Sequence, residues 1–380
     1  MSGNQAWPGA FSAPTGRRVA GVALLLAACL AGGCAGHLRS DPMAEAAALQ
    51  PTAPPRQVRI VTVNVWSGLT YRGVLSVGHH PDDPEARYRQ LVERLRAIGP
   101  DIIAVQEANP LPRYAERLAA DLGYDAVWSV AIGGIRLGPV GIPWNLREGD
   151  AVLVRRPWVI ADARRCPLGG SGIATNWLCC HFVEVTQALV CRLVVNGKRL
   201  YVCNVHLHAG ESYGQAYEEA LVRLGQRLPA GQVRQAMASA DADVARRSLE
   251  IARLSKALDD VLPASSAAVL LGDFNTDPRS GEVQPLLGAG AWTDSFSQLN
   301  PGAEGTTWDP ARNPNISKQE VEPGAYGELQ ALYDSYPHRL DLILLRGIAP
   351  ARIVESRLVL TPEDGACPSD HYGVLTTIMW

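Results

Sequence analysis

Short apolar runs rich in β-branched residues alternate along the chain with segments whose apolar residues recur at helical spacing. Residues 58–66 (VRIVTVNVW) and 101–107 (DIIAVQE) have the composition of buried strands. Between them, a segment that ends at Gly99-Pro100 carries four apolar side chains on one helical face: Tyr88, Leu91, Leu95 and Ile98. This order predicts a strand, a helix and a second strand at the start of the folded domain.

The remainder of the chain continues the alternation, although several strands follow one another directly. The pattern predicts a helix over 114–124, a strand over 150–157, a hairpin over 183–207, two helices over 211–262, a buried strand over 266–275, an irregular segment over 276–337, and three final strands. Because consecutive strands join as hairpins, the pattern favours mixed sheets flanked by helices over a purely parallel wound sheet. The fold class is therefore α/β, with a single domain over 57–380.

The N-terminus has the pattern of an export signal. Arg17 and Arg18 precede the apolar run VAGVALLLAAC, which is too short to span a bilayer as a helix. LAAC ending at Cys29 resembles a bacterial lipobox, and AGGC ending at Cys34 is its rival. We expect residues 1–28 to be a signal or lipoprotein peptide, and a lipidated Cys29 or Cys34 to anchor an exported protein to a membrane. A plain cleaved signal and a secreted protein are the alternative.

Composition adds little to this picture. Residues 29–56 are rich in Ala and Pro and lack a strand pattern, so we expect a tether. The net charge is −3, and removing the two arginines of residues 1–28 makes it −5 (−3 − 2). This charge gives no sign of a basic surface for non-specific nucleic-acid binding, although a nucleic-acid substrate stays possible. We expect a monomer.

Six cysteines follow residue 150: Cys166, Cys179, Cys180, Cys191, Cys203 and Cys367. An exported location permits disulfides between them. A two-residue turn at Asn196-Gly197 would put Cys191 and Cys203 on opposite faces of the hairpin, whereas a three-residue loop would make them face each other. Buried free thiols are a further alternative.

Polar residues able to do chemistry recur at the ends of the predicted strands: Asn64, Glu107, Asn204, His206, Asp273, Asn275, Arg339, Asp341, Asp370 and His371. Each is a weak signal alone, because a polar strand end is more often a solvated rim or a turn. The recurrence in several strands is the stronger signal, since ligands of α/β sheets bind at strand ends and in the loops that follow.

The ordered motifs VNVW, QE, NVHLHAG, GDFN, RLDLIL and SDHYGV resemble those of the endonuclease/exonuclease/phosphatase superfamily, the deoxyribonuclease-I-like fold. The resemblance covers most of residues 57–380. It implies a four-layer α/β sandwich with two β-sheets face to face. It also implies cleavage of phosphate esters with Mg²⁺, or with Mn²⁺ or another divalent ion.

The resemblance implies a metal site built from oxygen ligands. Glu107 would be the principal ligand, and Asn64 would support the metal or the phosphate. Asp370 would ligate a metal or act on the leaving group.

The resemblance also assigns a catalytic set. Asp273 would orient or deprotonate the attacking water, and Asn275 would position the phosphate beside it. His206 and His371 would donate to the non-bridging oxygens, with His371 as an alternative general base. Asp341 would hold His371 in its tautomer.

Substrate contacts are expected from Asn204, His208, Arg339 and Trp308. HLHA and NVW resemble the neutral sphingomyelinase branch, whereas Phe274 in GDFN and the GESYG continuation depart from it. His208 is equally a structural candidate, and Arg339 with Asp341 could be a surface ion pair. The apolar segment 128–150, with Trp144 near its end, is either a lipid-touching loop or a cover for the sheet.

These residues together predict a metal-dependent phosphodiesterase that cleaves by in-line water attack, with a phospholipid headgroup such as that of sphingomyelin as substrate. An extracytoplasmic DNA or RNA nuclease, or a phosphomonoesterase acting on inositol-type phosphates, is the alternative within the same fold. A lipoprotein binding module without activity would require a missing catalytic position, and none is missing.

Overall fold

Two large mixed β-sheets lie face to face at the centre of the protein. The computed structural model describes residues 36–50, 53–71, 77–79, 83–142, 146–181, 184–288, 291–318 and 321–380. The expected signal peptide, Cys29, Cys34 and Trp144 lie outside the described residues. Gly36–Trp380 forms one compact unit.

The strands are, in chain order, β1 (Gly36–Ser40), β2 (Gln57–Asn64), β3 (Leu69–Tyr71), β4 (Val77–His79), β5 (Ile102–Ala108), β6 (Tyr124–Ile132), β7 (Ile135–Leu137), β8 (Val140–Ile142), β9 (Glu148–Arg155), β10 (Val159–Pro167), β11 (Gly172–Ala174), β12 (Leu178–His181), β13 (Gln187–Val195), β14 (Lys198–His206), β15 (Ala268–Asp273), β16 (Thr293–Asp294), β17 (Asp341–Arg346), β18 (Ile353–Val359) and β19 (Gly373–Met379). The α-helices are α1 (Pro42–Ala48), α2 (Pro84–Ile98), α3 (Arg113–Leu122), α4 (Gln215–Gly225), α5 (Ala230–Val261), α6 (Gln284–Leu287), α7 (Ser295–Leu299) and α8 (Ala325–Tyr333). Three short 3₁₀ helices cover Ile316–Lys318, Pro350–Arg352 and Pro362–Asp364.

The two large sheets are mixed, as the strand pattern predicts. One has the order β1-β10-β13-β14-β15-β17-β16, and the other has the order β18-β19-β2-β5-β9-β6. In each, one parallel pair (β14 with β15, β2 with β5) sits among antiparallel pairs. A four-stranded sheet, β11-β12-β7-β8, and the pair β3-β4 complete the described sheets. The predicted α/β fold with two face-to-face mixed sheets is confirmed.

The core between the sheets explains where the functional site lies. Alternate residues of each strand point inward, and these rows are apolar over most of their length: Val58 and Ile60 in β2, Val152 and Val154 in β9, Leu200 and Val202 in β14, Val269 and Leu271 in β15. At one end the same rows become polar: Asn64, Asp150, His206 and Asp273. The end of the sandwich is therefore where polar side chains from both sheets meet.

Helix α2 packs on the outer face of the six-stranded sheet, as its periodicity predicts. Its N-cap, Asp83, accepts hydrogen bonds from the backbone N–H groups of Glu85 at 2.9 Å and Ala86 at 3.1 Å. It ends at Gly99, whose φ of 62° is readily adopted by glycine. Tyr88, Leu91 and Leu95 are buried in a second apolar cluster under this helix.

The segment expected to be a tether is folded from Gly36 onward. Strand β1 pairs with β10 at the edge of the seven-stranded sheet, and α1 follows it. The Glu45 carboxylate lies 3.0 Å from the Arg192 guanidinium and 2.7 Å from that of Arg199. The sequence prediction is wrong here because an edge strand needs few apolar residues, and the partners that hold α1 lie far along the chain.

The hairpin β13–β14 has the shorter of the two turns considered above. Val195 pairs with Lys198, and both turn residues, Asn196 and Gly197, have positive φ values of 49° and 75°. Cys191 consequently points into the core between the sheets and Cys203 points to the opposite face. All six cysteines after residue 150 are free thiols in the structure.

The predicted helices of 211–262 are α4 and α5, with Pro229 as the break before α5. The segment 276–337, predicted to be irregular, contains short helices and β16. Within the described residues, no helix is both long enough and apolar enough to cross a membrane.

Candidate active site

A cavity of about 770 Å³ opens where the polar ends of the two sheets meet. Its lining includes most of the residues that the sequence singles out: Glu107, His206, Asp273, Asn275, Trp308, Asp370 and His371. These side chains come from separate strands and loops of both sheets, so their convergence is a property of the fold and not of any one motif.

Three neighbouring strands place three of the functional side chains at one level. His206 ends β14, and Asp273 ends the adjacent parallel strand β15 as its register partner. Asp341 begins the next strand, β17, and is the antiparallel partner of Asp273. Register partners in neighbouring strands point to the same face of a sheet, so all three carboxylate and imidazole groups face the six-stranded sheet.

His371 is oriented by Asp341. Its Nδ1 atom lies 2.9 Å from Oδ2 of Asp341, and both residues are buried. This hydrogen bond leaves Nε2 facing Asp273, whose Oδ2 atom is 3.8 Å away. The Trp308 ring contacts His371 edge-on at a centroid distance of 5.1 Å, so it restricts the imidazole from the cavity side.

Asp273 lies between the two histidines. Its Oδ2 atom is 3.8 Å from Nε2 of His206, which matches its distance from His371. Oδ2 also accepts a hydrogen bond from Nδ2 of Asn64 at 3.1 Å, and Oδ1 accepts one from the Asn275 backbone N–H at 2.9 Å. The carboxylate is therefore fixed in one orientation by donors from both sheets.

Glu107 reaches the cavity because strand β5 is irregular at its end. The pairing of β5 with β9 shifts register between Val105 and Ala108, and Glu107 has a φ of 57°, which is unusual for a residue other than glycine. Its carboxylate accepts hydrogen bonds from Nδ2 of Asn64 at 2.9 Å and from the Ser67 backbone N–H at 3.0 Å. A strained residue with two fixed donors is typical of a functional position.

Both cavity histidines are held in the protonated form in the absence of a metal. Burial lowers the pKa of His206, but the carboxylates of Asp273, Glu184, Glu107 and Asp150 outweigh it and raise the pKa to about 9. Burial likewise opposes the charge on His371, and Asp341 and Asp273 raise its pKa well above the usual range. At neutral pH two imidazolium groups therefore flank Asp273.

Two carboxylates that sequence reasoning missed lie at the start of β9. Glu148 lines the cavity, and its Oε2 atom is buried without a hydrogen-bond partner in the described part of the chain. Burial, followed by repulsion from Glu107, raises the pKa of Glu148 to about 8. Burial also raises the pKa of Asp150 to about 8. The signal in the sequence is an acidic pair two residues apart at the start of the predicted strand 150–157.

Asp150 lies in a polar layer beneath the cavity. Its Oδ1 atom, the Ser129 hydroxyl and both side-chain heteroatoms of Gln187 are buried without hydrogen-bond partners among the described residues. Ser129 is the register partner of Asp150, and Gln187 is the register partner of His206. Unpaired buried polar groups are costly, so they favour bound water or ions in this layer.

The described residues contain one cluster of potential metal-ligand atoms that are mutually close. One ligand atom each from Asp273, Asp341 and His371 lies within 4.8 Å of the others. Carboxylate oxygens and an imidazole nitrogen are suitable ligands for several divalent ions, so this cluster could hold a metal whose identity the donor set leaves open.

Comparison with known proteins identifies the family. The sequence model of the endonuclease/exonuclease/phosphatase family matches residues 61–371, which is most of the chain and includes every cavity residue named above. The chain belongs to the endonuclease/exonuclease/phosphatase family. Members of this family are hydrolases of phosphoester bonds that generally use a divalent metal, and no curated protein sequence is significantly similar to this chain.

Solved structures confirm the deoxyribonuclease-I-like fold. An endonuclease/exonuclease/phosphatase family protein from Leptotrichia buccalis has 17% identity and a TM-score of 0.53, and the match covers 85% of this chain and all (100%) of that one. A conserved protein of unknown function from Enterococcus faecalis has 15% identity and a TM-score of 0.53, with 85% and 100% coverage. Truncated TDP2 from Caenorhabditis elegans has 14% identity and a TM-score of 0.50, with 85% and 98% coverage. At these identities the similarity establishes the fold alone.

Asn204 links the two large sheets through hydrogen bonds. This finding corrects the prediction that Asn204 contacts the substrate. It is fully buried, and its Oδ1 atom accepts a hydrogen bond from Nε2 of Gln106 at 2.6 Å. Its Nδ2 atom donates to the carbonyl oxygens of Val105 and Ala151, each at 3.0 Å. Because its side-chain oxygen and nitrogen both hydrogen-bond to residues of the six-stranded sheet, Asn204 is not placed to bind a phosphate.

His208 also points away from the cavity. Its Nε2 atom lies 2.6 Å from Oδ1 of Asp243 on α5, and its backbone N–H donates to Glu250 on the same helix at 3.0 Å. The structural role that the sequence left open therefore replaces the expected substrate contact. His206 is the last residue of β14, and His208 lies beyond the end of the strand. The alternation of side chains along a strand therefore no longer places the two imidazoles on the same face.

Arg339 is a buried structural cation. It donates to Asp294 at 2.6 Å and to the Ser297 hydroxyl at 2.9 Å, and its guanidinium lies 4.7 Å from the centre of the Phe296 ring. It is only 4% exposed and does not line the cavity, which corrects the expected contact with substrate. The surface ion pair with Asp341 that the sequence suggested is therefore wrong, because Arg339 pairs with Asp294 in the interior.

Asn64 orients the carboxylates of Glu107 and Asp273 through its side-chain nitrogen. Its Oδ1 atom accepts the Trp66 backbone N–H at 2.9 Å, which fixes the amide so that Nδ2 points to Glu107 and Asp273. This arrangement corrects the expected ligation through Asn64. Asp370 lines the cavity, where its Oδ1 atom accepts a hydrogen bond from the Ser369 hydroxyl at 3.0 Å.

Proposed function

We propose that this protein is a divalent-metal-dependent phosphodiesterase that hydrolyses a phospholipid headgroup, with sphingomyelin as the model substrate. The observation that carries the proposal is the arrangement of His206, Asp273 and His371 beside Glu107 in one cavity. Two imidazolium groups, one carboxylate between them and one further carboxylate can supply the proton transfer and charge stabilisation that assist water attack on a phosphodiester.

A divalent cation fits the residues of the cavity. The buried, unpartnered Oε2 atom of Glu148 and the strained Glu107 supply hard oxygen ligands, and Asp370 lines the same space. Repulsion between Glu107 and Glu148 would be relieved by a cation held by both. A bound Mg²⁺ or Mn²⁺ would supply charge neutralisation at the phosphoryl oxygens.

Side chains of the protein supply the remaining catalytic functions, charge stabilisation and proton transfer. His206 and His371, both protonated, donate hydrogen bonds to the non-bridging oxygens and stabilise the charge that develops there. Asp273, which lies between the two imidazoles, is placed to orient the water and to take its proton as the water oxygen bonds to phosphorus. The bond from phosphorus to the leaving oxygen then breaks, and an imidazolium can return a proton to that oxygen. Asn64 and the Asn275 backbone hold Asp273 in place, and Asp341 holds His371.

The charge of the cavity supports a cationic headgroup over a polyanion. Seven carboxylate residues line it: Glu107, Glu148, Glu184, Asp273, Glu322, Asp334 and Asp370. No Lys or Arg of the described residues lines it. A nucleic acid or an inositol polyphosphate would therefore find no Lys or Arg of the described lining to pair with its additional phosphates. A choline or ethanolamine group would be attracted by the carboxylates and by the rings of Trp66, Trp308 and Tyr333.

An N-terminal lipid anchor on Cys29 or Cys34 belongs to the same proposal. It would hold an exported protein at a membrane that contains its substrate. The apolar run before Cys29 and its two preceding arginines support this placement.

The substrate class is tested by product release from matched substrates in Mg²⁺. Vesicles of sphingomyelin, phosphatidylcholine and phosphatidylglycerol are compared with plasmid DNA and inositol phosphates. We expect release of phosphocholine, with the anionic lipid, DNA and inositol phosphates cleaved at least about tenfold more slowly. Cleavage of DNA without lipid turnover would contradict the lipid proposal and identify a nuclease of the same fold.

Glu184 provides a sharper variant for the headgroup. It lines the cavity and is not among the residues assigned to the metal or to proton transfer. Glu184→Gln is expected to raise KM for choline-containing substrates about tenfold, because one charge facing the ammonium is lost, and also to lower the pKa of His206, which Glu184 helps to raise. An unchanged KM would remove Glu184 from the headgroup site.

A further inference from the structure

The four-stranded sheet β11-β12-β7-β8 has one face made entirely of apolar side chains. Register places these residues opposite one another: Ile173, Cys180, Ile135 and Ile142 in one row, and Leu178, Leu137 and Val140 in the next. Directly opposed residues in antiparallel strands point to the same side, so these seven side chains form one continuous surface. We call this surface the apolar face.

The apolar face is turned to solvent. Exposure is 46% for Ile135, 57% for Leu137, 64% for Val140 and 59% for Ile142, and Cys180 is exposed as well. Contiguous exposed apolar surface of this kind is uncommon in soluble proteins unless something binds it. Sheets with one solvated face normally carry polar residues there, so the usual alternation is reversed in this sheet.

The opposite face of the same sheet is packed on the domain. Ala174, Cys179 and His181 are buried, and Ala174 and Cys179 belong to the apolar cluster of the six-stranded sheet. Arg136, on β7, is also buried. The sheet is therefore fixed to the protein by one face, and its apolar face cannot turn inward to be covered.

An exposed tryptophan borders the apolar face. Trp177, in the turn between β11 and β12, is 64% exposed, and its backbone carbonyl accepts a hydrogen bond from the Gly138 N–H at 2.7 Å. The turn between β7 and β8 is thereby joined to the turn that carries the indole ring. An indole at the margin of an apolar surface is typical of contact with the interfacial region of a bilayer.

The sheet is attached to the rim of the active-site cavity. Ile132 lines the cavity, and β7 begins three residues later. Glu184 also lines the cavity, three residues after the end of β12. The apolar face and the cavity are thus joined through two short connections, at the start of β7 and at the end of β12, which lie side by side in the sheet.

The first described residue, Gly36, lies at the end of the seven-stranded sheet that carries the cavity. Gly36 pairs with Arg165 near the end of β10, and β11 begins five residues after β10 ends. Residues 1–35, with the apolar run and both candidate anchor cysteines, join the chain at Gly36. Gly36, the first described residue after both candidate anchor cysteines in the sequence, therefore lies at the end of the sandwich that carries the cavity.

We propose that the apolar face docks the protein on a lipid bilayer and brings the cavity to the headgroup layer. The inference rests on the proposed lipid substrate, because the surface that covers the face would then also present the substrate. A lipid surface fits a face with no charged side chain, an indole at its margin and a candidate anchor segment that precedes Gly36 in the sequence. A second copy of the chain is the competing occupant, and the test separates the two.

Trp177 is the probe for this test. The full chain is mixed in EDTA with phosphatidylcholine vesicles that carry brominated acyl chains, which quench nearby indoles. The difference in quenching between the unchanged protein and Trp177→Phe reports contact between the apolar face and the lipid. Val140→Asp is expected to reduce this difference at least about fivefold, because a charge would have to enter the apolar phase. Leu137→Ser is expected to reduce it in the same direction.

A matched control is available on α4. Val222 is also a valine at 64% exposure, so Val222→Asp adds the same charge at equal exposure away from the sheet. It is expected to leave the Trp177 quenching unchanged, and all variants are expected to keep the melting temperature of the unchanged protein. Equal quenching with and without Trp177 would overturn the proposal. A dimer in sedimentation that Val140→Asp dissociates would also overturn it.

Failure of docking and failure of the proposed substrate give different results. Quenching is measured without a metal and without turnover, so it does not depend on which bond the enzyme cleaves. Trp177 quenching without phosphocholine release would support docking and contradict the choline-lipid substrate. Phosphocholine release without Trp177 quenching would support the substrate and contradict docking through this face.

Discussion

Nδ1 of His371 lies 2.9 Å from Oδ2 of Asp341, and this buried pair determines which nitrogen of the imidazole faces the cavity. The carboxylate also raises the pKa of His371 well above its usual range against the effect of burial. A neutral amide at position 341 could still hydrogen-bond, but it would neither select the Nδ1–H tautomer nor stabilise the imidazolium. The pair therefore controls both the orientation and the charge of His371.

Asp341→Asn is accordingly expected to reduce kcat by roughly 10²- to 10⁴-fold with a small change in KM. The limb of the pH–rate profile that reports His371 should move to lower pH, because the largest charge that raises its pKa is removed. Rate profiles together with NMR titration of the His371 ring measure both effects. A variant with normal kcat and an unshifted profile would show that Asp341 is structural alone.

Glu107→Gln is expected to weaken binding of Mn²⁺ at least about tenfold, since a strained, doubly hydrogen-bonded carboxylate would be replaced by a neutral amide. Calorimetric titration with Mn²⁺ measures this directly, without any substrate. Glu116→Gln, an exposed glutamate on α3 outside the cavity, is the control and should bind the ion as the unchanged protein does. Equal affinities in all three proteins would place the metal elsewhere.

Asn204→Leu tests whether Asn204 stabilises the fold by linking the two sheets. Removing its amide leaves the Val105 and Ala151 carbonyls and the Gln106 amide without this buried partner, which should lower the free energy of unfolding by about 1–3 kcal/mol. Urea denaturation gives the loss, and KM of the folded enzyme should change little. A raised KM with unaltered stability would instead support the substrate contact that the sequence predicted.

Asp150 makes stability depend on pH in a predictable direction. Its pKa rises from an ordinary 3.8 to about 8 because burial penalises the charge, so the folded protein keeps a proton that the unfolded chain releases. The stabilisation is present at low pH and is lost as pH rises from about 4 to about 8. Asp150→Asn should remove this slope and stabilise the metal-free protein at pH 8 by roughly 2–4 kcal/mol.

Melting curves in EDTA at pH 5 and pH 8 measure the effect for both proteins. The two should differ little at pH 5 and diverge at pH 8, where the unchanged protein must bury a charge or take up a proton. Parallel pH dependences in the two proteins would mean that Asp150 is ionised and paired in the folded state.

The sheets and main helices could be predicted from the sequence because their signals are local. The periodicity around Tyr88 and Leu91, and the turn signal Asn196-Gly197, depend on neighbours within a few residues. The fold of 36–48 could not, because β1 and α1 are held by Arg165, Arg192 and Arg199, over a hundred residues later. A tether and an edge strand with polar partners have similar residue patterns in the sequence.

The site could be predicted in part for the same reason. His206 and Asp273, which end β14 and β15, line one cavity because strand alternation continues to the end of both strands. Alternation failed where the backbone left the strand. His208 lies beyond β14 and turns to α5, whereas Glu107 turns inward through an irregular backbone conformation. Glu148 and Asp150 were missed because burial, which gives them their chemistry, is a tertiary property.

The measurement that tests the central claim most directly is phosphocholine release from sphingomyelin vesicles by the unchanged protein and by His206→Ala, each in Mg²⁺ and in EDTA. The arrangement of His206, Asp273 and His371 predicts release in Mg²⁺ by the unchanged protein, with a rate at least about 10²-fold lower in His206→Ala and no release in EDTA. Release that persists in EDTA, or that is equally fast without His206, would contradict it.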